Sequence, residues 1–205
     1  MKVPSLHWLG QAAFRIETGN HVIYIDPVWL QSDAPKASLI LVTHSHPDHY
    51  SERAIKYLSS PETRVYAPVG FSAFTPIKPG DTIDFDPELS INAVAAYNIH
   101  KSFHPRQNNW VGYIIHCREV KIYHAGDTDL IPEMNDITAD IALLPIGGTY
   151  TMDFREAAEA AKLIKPKTAI PIHYGSTVGT AREAQEFVRM CQGMGINSEM
   201  LKIEH

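Results

Sequence analysis

Apolar and polar positions along the first half of the chain sort into short segments separated by turn residues. Residues 12–17 and 21–26 read as two strands, and Thr18-Gly19-Asn20 between them is a hairpin turn, so a β-meander opens the protein. Ser38-Leu39-Ile40-Leu41-Val42 is an unbroken apolar run, as expected of a strand buried on both faces, and it delivers the chain to His44. Over 50–59 the spacing becomes helical: Ala54, Ile55 and Leu58 share one side, Ser51 is available as N-cap, and Pro61 ends the helix. Further strands are expected at 64–67, 82–85, 90–96, 110–117 and 120–125, broken by Pro and Gly turns. In the last third, strands at 141–145, 168–172 and 198–203 alternate with helices at 153–164 and 180–194, the βαβα pattern, and Asp153 and Glu156 have capping-box spacing.

Composition adds bounds. With 205 residues, no linker and no fixed-period repeat, one domain spanning 1–205 is expected. A hydrophobic fraction of 44% beside 20% charged residues is ordinary for a globular chain with a real core. The formal net charge of -5 disfavours nucleic acid and anionic membrane surfaces as partners, which leaves a small-molecule substrate, with homo-oligomerisation open. Cys117 and Cys191 lie in apolar stretches, as reduced thiols of a cytoplasmic protein do. The start lacks the apolar core of a signal peptide, and no apolar run approaches the ~18 residues of a membrane span.

The eleven histidines change the picture through their positions. In Thr43-His44-Ser45-His46-Pro47-Asp48-His49, alternate residues of an extended segment point the same way, so His44 and His46 can address one metal while Ser45 faces elsewhere. Pro47 then forces a turn after which Asp48 and His49 can reach a second metal. Three imidazoles and a carboxylate crowded beside a buried strand are costly without a metal to pair them. Two other apolar strands also end in ligand types, one at Asp127 and one at His173, and ligand sites in open α/β sheets gather beyond the carboxyl ends of strands. Asp26 ends a strand too and suits an acceptor that orients a loop or a ligand histidine. His124 suits a structural or orienting role. Gly147-Gly148-Thr149-Tyr150 is either a tight turn or a backbone N–H edge that, with Tyr150, faces a substrate; Tyr174, after His173, has the same two readings. Lys101 and Arg106 are either solvated charges or groups that neutralise an anionic substrate.

Together with Trp8-Leu9-Gly10, Tyr24-Ile25-Asp26-Pro27, Tyr123-His124-Ala125-Gly126-Asp127-Thr128 and Leu144-Pro145-Ile146-Gly147-Gly148-Thr149-Tyr150, the His-x-His-x-Asp-His loop resembles the metallo-β-lactamase superfamily. Within it, the chain is similar to the small stand-alone hydrolases related to the ascorbate-phosphate lactonase branch. The resemblance implies a mixed α/β fold, a four-layer αββα sandwich, with two divalent metal ions, zinc first, manganese or iron also suited. It implies His44, His46 and a third histidine on one metal, Asp48, His49 and His173 on the other, and Asp127 between them. Relatives carry the third histidine after the strand 92–97, where this chain has Tyr97 or Asn98; His104, His100 or water remains to fill that place. Gln11 stands where relatives often carry His. The expected activity is hydrolysis of an ester-like bond, lactone or phosphoester, with Asp48 orienting the attacking water; the alternative is a non-catalytic metal-binding or ligand-sensing protein on the same scaffold.

Overall fold

The computed structural model describes residues 4–29, 32–71 and 73–204. The chain is mixed α/β, with two sheets and three α-helices among the described residues, as the sequence leads one to expect. It divides into two compact units, each built on one sheet: one runs through Ile77 and takes in the chain again from Lys202, the other is Lys78–Leu201.

The first unit holds β1 (Ser5–Gly10), β2 (Ala13–Thr18), β3 (His21–Ile25), β4 (Leu39–Leu41), helix α1 (Glu52–Leu58), β5 (Arg64–Pro68) and β6 (Thr75–Ile77), its sheet ordered β1 to β6 in sequence. β1 to β3 pair antiparallel, with Thr18 opposite His21 across the hairpin turn; β3 to β6 pair parallel. β4 is wholly buried, as its unbroken apolar run requires. α1 is capped by Ser51, whose hydroxyl accepts the Ala54 N–H, and buries Ala54, Ile55 and Leu58. Two strands escape the pattern. In β1 the Ser5–His7 half is only partly buried, which blurs its alternation. β6 contains Pro76, which lacks a ladder donor and is tolerated because β6 is an edge strand.

The second unit holds β7 (Thr82–Asp86), β8 (Leu89–Ala95), β9 (Val111–Cys117), β10 (Val120–His124), β11 (Ile141–Pro145), α2 (Phe154–Ile164), β12 (Thr168–Ile172), α3 (Ala181–Gly193) and β13 (Asn197–Ser198), with sheet order β13-β12-β11-β10-β9-β8-β7. β7 to β10 pair antiparallel and β10 to β13 parallel, with β11 joined to β12 through the expected α2 and β12 to β13 through the expected α3. Asp153 caps α2 with Glu156 in the reciprocal bond of a capping box. The strand expected at 198–203 is corrected: only Asn197–Ser198 pairs with β12, while Ile203 bridges Trp8 and Glu204 N–H donates to the Trp8 carbonyl. The apolar residues of that segment are divided between the two units, so they never act as one strand. Cys117 and Cys191 are buried free thiols, and burial pushes the Cys191 thiol up to about 11. Among the described residues no helix is long and apolar enough to cross a membrane.

Candidate metal centre

In the first unit the parallel neighbours β3 and β4 deliver Asp26 and the loop 43–49 from their carboxyl ends. Asp26 is fully buried and adopts the left-handed conformation, φ 46, which Asp tolerates better than most residues. Its Oδ1 accepts the Thr43 N–H at 2.7 Å, and its Oδ2 accepts from Thr43 Oγ1 at 2.6 Å and from His49 Nδ1 at 2.7 Å. Thr43 has one hydroxyl proton and spends it on Asp26, so its oxygen accepts the Nδ1–H of His44 at 2.9 Å. Both imidazoles are thereby held as Nδ1–H tautomers, and Nε2 is the basic nitrogen of each. Asp26, His44 and His49 present ligand atoms within 4.8 Å of one another. The Asp26 carboxylate is occupied by orienting Thr43 and His49.

His44 Nε2 lies 3.1 Å from His46 Nδ1, and the His44 ring centroid is 4.7 Å from that of His46 and 4.0 Å from that of His49. Ser45 between them is exposed. Pro47 turns the chain so that the N–H groups of His49 and Tyr50 both donate to the His46 carbonyl at 3.0 Å. Asp48 Oδ2 sits 3.8 Å from His49 Nε2 and accepts a 3.0 Å hydrogen bond from Gln11 Nε2. Gln11 is buried and left-handed, φ 51, and its backbone carbonyl accepts the Trp8 indole N–H at 3.0 Å. Thr43 and Gln11 are hydrogen-bonded neighbours of the candidate ligands to which sequence reasoning assigned no role. Their only signal is a polar side chain set directly at the end of an apolar strand.

In the second unit a single carboxylate oxygen, Asp127 Oδ2, lies 3.3 Å from His104 Nε2 and 3.1 Å from His173 Nε2, and all three side chains are buried. Asp127 follows β10 after a turn at Gly126, φ 65, whose N–H donates to His124 Nδ1 at 3.2 Å, so His124 shapes that turn. His173 leaves β12 in the left-handed conformation, φ 59. Asn98 holds His104: its Oδ1 accepts both the His104 backbone N–H and Nδ1–H at 3.0 Å. Its amide donates to Asp129 Oδ1 at 3.0 Å and to the Tyr150 carbonyl at 2.9 Å. His104 therefore also directs Nε2 toward the carboxylate, whereas His100 is exposed.

The two cations of the His104 loop are engaged within this unit. Lys101 Nζ binds Asp129 at 2.5 Å and the Thr151 carbonyl at 3.1 Å; Arg106 binds Glu133 at 2.9 Å and lies over the Tyr97 ring. Gly147 and Gly148 do different work. A Cβ on Gly147 would stand 2.7 Å from Val178 and 3.0 Å from His173 Nδ1, so this glycine lets the backbone approach His173. Gly148 supplies the turn, φ 75. Tyr150 is half-buried with its ring edge-to-face on Phe103. Tyr174 is buried, which pushes its hydroxyl up to about 12 and keeps it neutral.

These residues fit divalent metal ions. Separations of 3.1 to 3.3 Å between imidazole nitrogens, or between imidazole and carboxylate, suit neighbouring ligands that each lie ~2.0–2.2 Å from one tetrahedral cation. The donors are imidazole and carboxylate, with orienting hydrogen bonds behind them, as metal-binding histidines require.

The family model described as Beta-lactamase superfamily domain matches residues 5–173. The UPF0173 metal-dependent hydrolase of Caldivirga maquilingensis is 34% identical over 209 residues, covering 92% of this chain and 90% of that protein. That of Thermococcus kodakarensis is 35% identical over 204 residues, covering 89% and 90%. The crystal structure of a putative metal-dependent hydrolase from Parabacteroides distasonis superimposes with a TM-score of 0.89 at 32% identity, covering 98% of this chain and 94% of that one. Matched over most of its length by that family and at this identity by those relatives, the chain belongs to the metallo-β-lactamase superfamily, among its UPF0173 metal-dependent hydrolases.

Proposed function

We propose that the two donor sets serve one hydrolytic centre holding two zinc ions, and that it opens an ester-like bond, lactone or phosphoester, of a small molecule. His44, His46 and His104 are assigned to one ion, Asp48, His49 and His173 to the other, with Asp127 shared. When bound, the cations supply Lewis acidity, polarising the bond under attack and lowering the pKa of water from ~15.7 toward ~7. The chain's own residues do the positioning. Asp26 and Thr43 fix the tautomers of His49 and His44, Asn98 fixes that of His104, and Gln11 holds the Asp48 carboxylate that orients the attacking water. The resemblance to the ascorbate-phosphate lactonase branch supports the lactone option.

The observation that carries this reading is Asp127 Oδ2, set between two buried imidazoles at 3.1 and 3.3 Å, an arrangement suited to a bridging carboxylate. The test combines elemental analysis with turnover on lactone and phosphoester panels. About two ions per chain are expected, with loss of turnover in His46→Ala and Asp127→Ala while circular dichroism is unchanged. Full activity in either variant, or one ion or none without turnover, overturns it.

A further inference from the structure

The loop that carries His104 also carries exposed apolar surface. Ile99 is 46% and Phe103 44% exposed, and Phe103 meets Tyr150 edge-to-face with centroids 4.6 Å apart. This surface is mounted on the ligand cluster. Asn98 grips His104 with its Oδ1 and the Tyr150 carbonyl with its amide, and the Ile99 N–H donates to Asp129 Oδ2 at 2.8 Å. Phe103 precedes His104 directly in the chain. Aromatic groups held beside polar ligands are how small-molecule sites seat an apolar portion of their ligand.

Charge narrows the class. An anionic substrate would call on the cations of this loop, yet Lys101 is held by the Asp129 carboxylate and Arg106 by Glu133. Ile99 and Phe103 thus stand exposed on a loop whose Lys101 and Arg106 charges are already matched within the same unit.

We propose that Ile99, Phe103 and Tyr150 form a subsite for the alkyl or aryl group of a neutral carboxylic ester, a lactone in particular, in preference to a phosphoester. The inference rests on the hydrolytic reading above. In the reaction, the water oxygen bonds to the acyl carbon and the acyl C–O bond breaks. One water proton goes to the departing alkoxide oxygen, and the other is released as the new carboxylic acid ionises.

The test uses the zinc-loaded full chain and γ-lactones with side chains from methyl to octyl, against aryl phosphomonoesters and phosphodiesters. From methyl to octyl, kcat/KM is expected to rise about tenfold or more, since each buried methylene favours binding several-fold. Phe103→Ala flattens that rise and Phe103→Leu restores part of it; phosphoesters are the poorer substrates throughout. A second readout needs no turnover: binding of N-alkyl pyrrolidones, neutral lactams that resist hydrolysis, tightens with chain length in the wild type and not in Phe103→Ala. Lactone turnover indifferent to chain length, or a preference for phosphoesters, overturns the subsite and leaves the hydrolase standing. No turnover on either series, with lactam binding still dependent on chain length, overturns the hydrolytic reading and the ester class with it.

Discussion

Asp26 Oδ2 and His49 Nδ1 lie 2.7 Å apart with both side chains wholly buried, and the same carboxylate reaches His44 through the Thr43 hydroxyl. One acid therefore sets the basic nitrogen of two imidazoles on which metal binding is expected to depend.

Asp26→Asn keeps the shape and tolerates the left-handed backbone, but it turns an acceptor into an amide donor toward Thr43 or His49. Metal affinity is expected to fall about 10–100-fold, the usual effect of losing an orienting partner. Chelator competition measures it, with far-UV circular dichroism as the check on folding.

Asn98 ties His104, Asp129 and the Tyr150 carbonyl together. Asn98→Ala leaves buried groups without their partner, each at a cost of about 1–3 kcal/mol. The expected result is a lower melting temperature and a smaller zinc-induced rise in it, read by calorimetry with and without metal.

The paired glycines separate by mechanism. Gly147→Ala presses a methyl on Val178 and His173, so both stability and metal affinity should drop. Gly148→Ala meets nothing closer than 3.6 Å and incurs only left-handed strain, about 1 kcal/mol, with metal affinity kept. Thermal melts together with zinc titrations of the two variants distinguish these outcomes.

Burial, with Lys121 nearby as the lesser cause, holds the His116 pKa below its usual 6.5, so the fold favours the neutral ring. The unfolded chain then binds the proton more readily than the native one. The stability contributed by neutral His116 is complete above the unfolded value and declines as pH falls from 6.5 through the lowered native value. Urea melts from pH 7.5 to 5 should therefore show His116→Gln gaining on the wild type as pH falls.

Much of the fold was legible because it is local. The Gly19-Asn20 turn, the Ser51 and Asp153 caps and the apolar runs of β4, β11 and β12 are each decided within a few residues, and the structure places them where the pattern does. β6 was hidden because a proline argues against a strand until its place at the sheet edge is known. The segment 198–203 misled because apolar spacing does not reveal which partner each residue will meet.

The sequence by itself determined the family and the metal-dependent hydrolase class, and it marked the candidate donors, since a strand that ends in His or Asp stands out. The tertiary structure decided what holds those candidate donors: Gln11 on Asp48, Thr43 and Asp26 behind His44 and His49, and Asn98 turned to clasp His104. It also decided that Lys101 and Arg106 are matched internally by Asp129 and Glu133. The reason is physical. A ligand type is a property of one residue, whereas a tautomer, a held carboxylate or a matched charge belongs to a pair, and most of these pairs are brought together only when the sheets form.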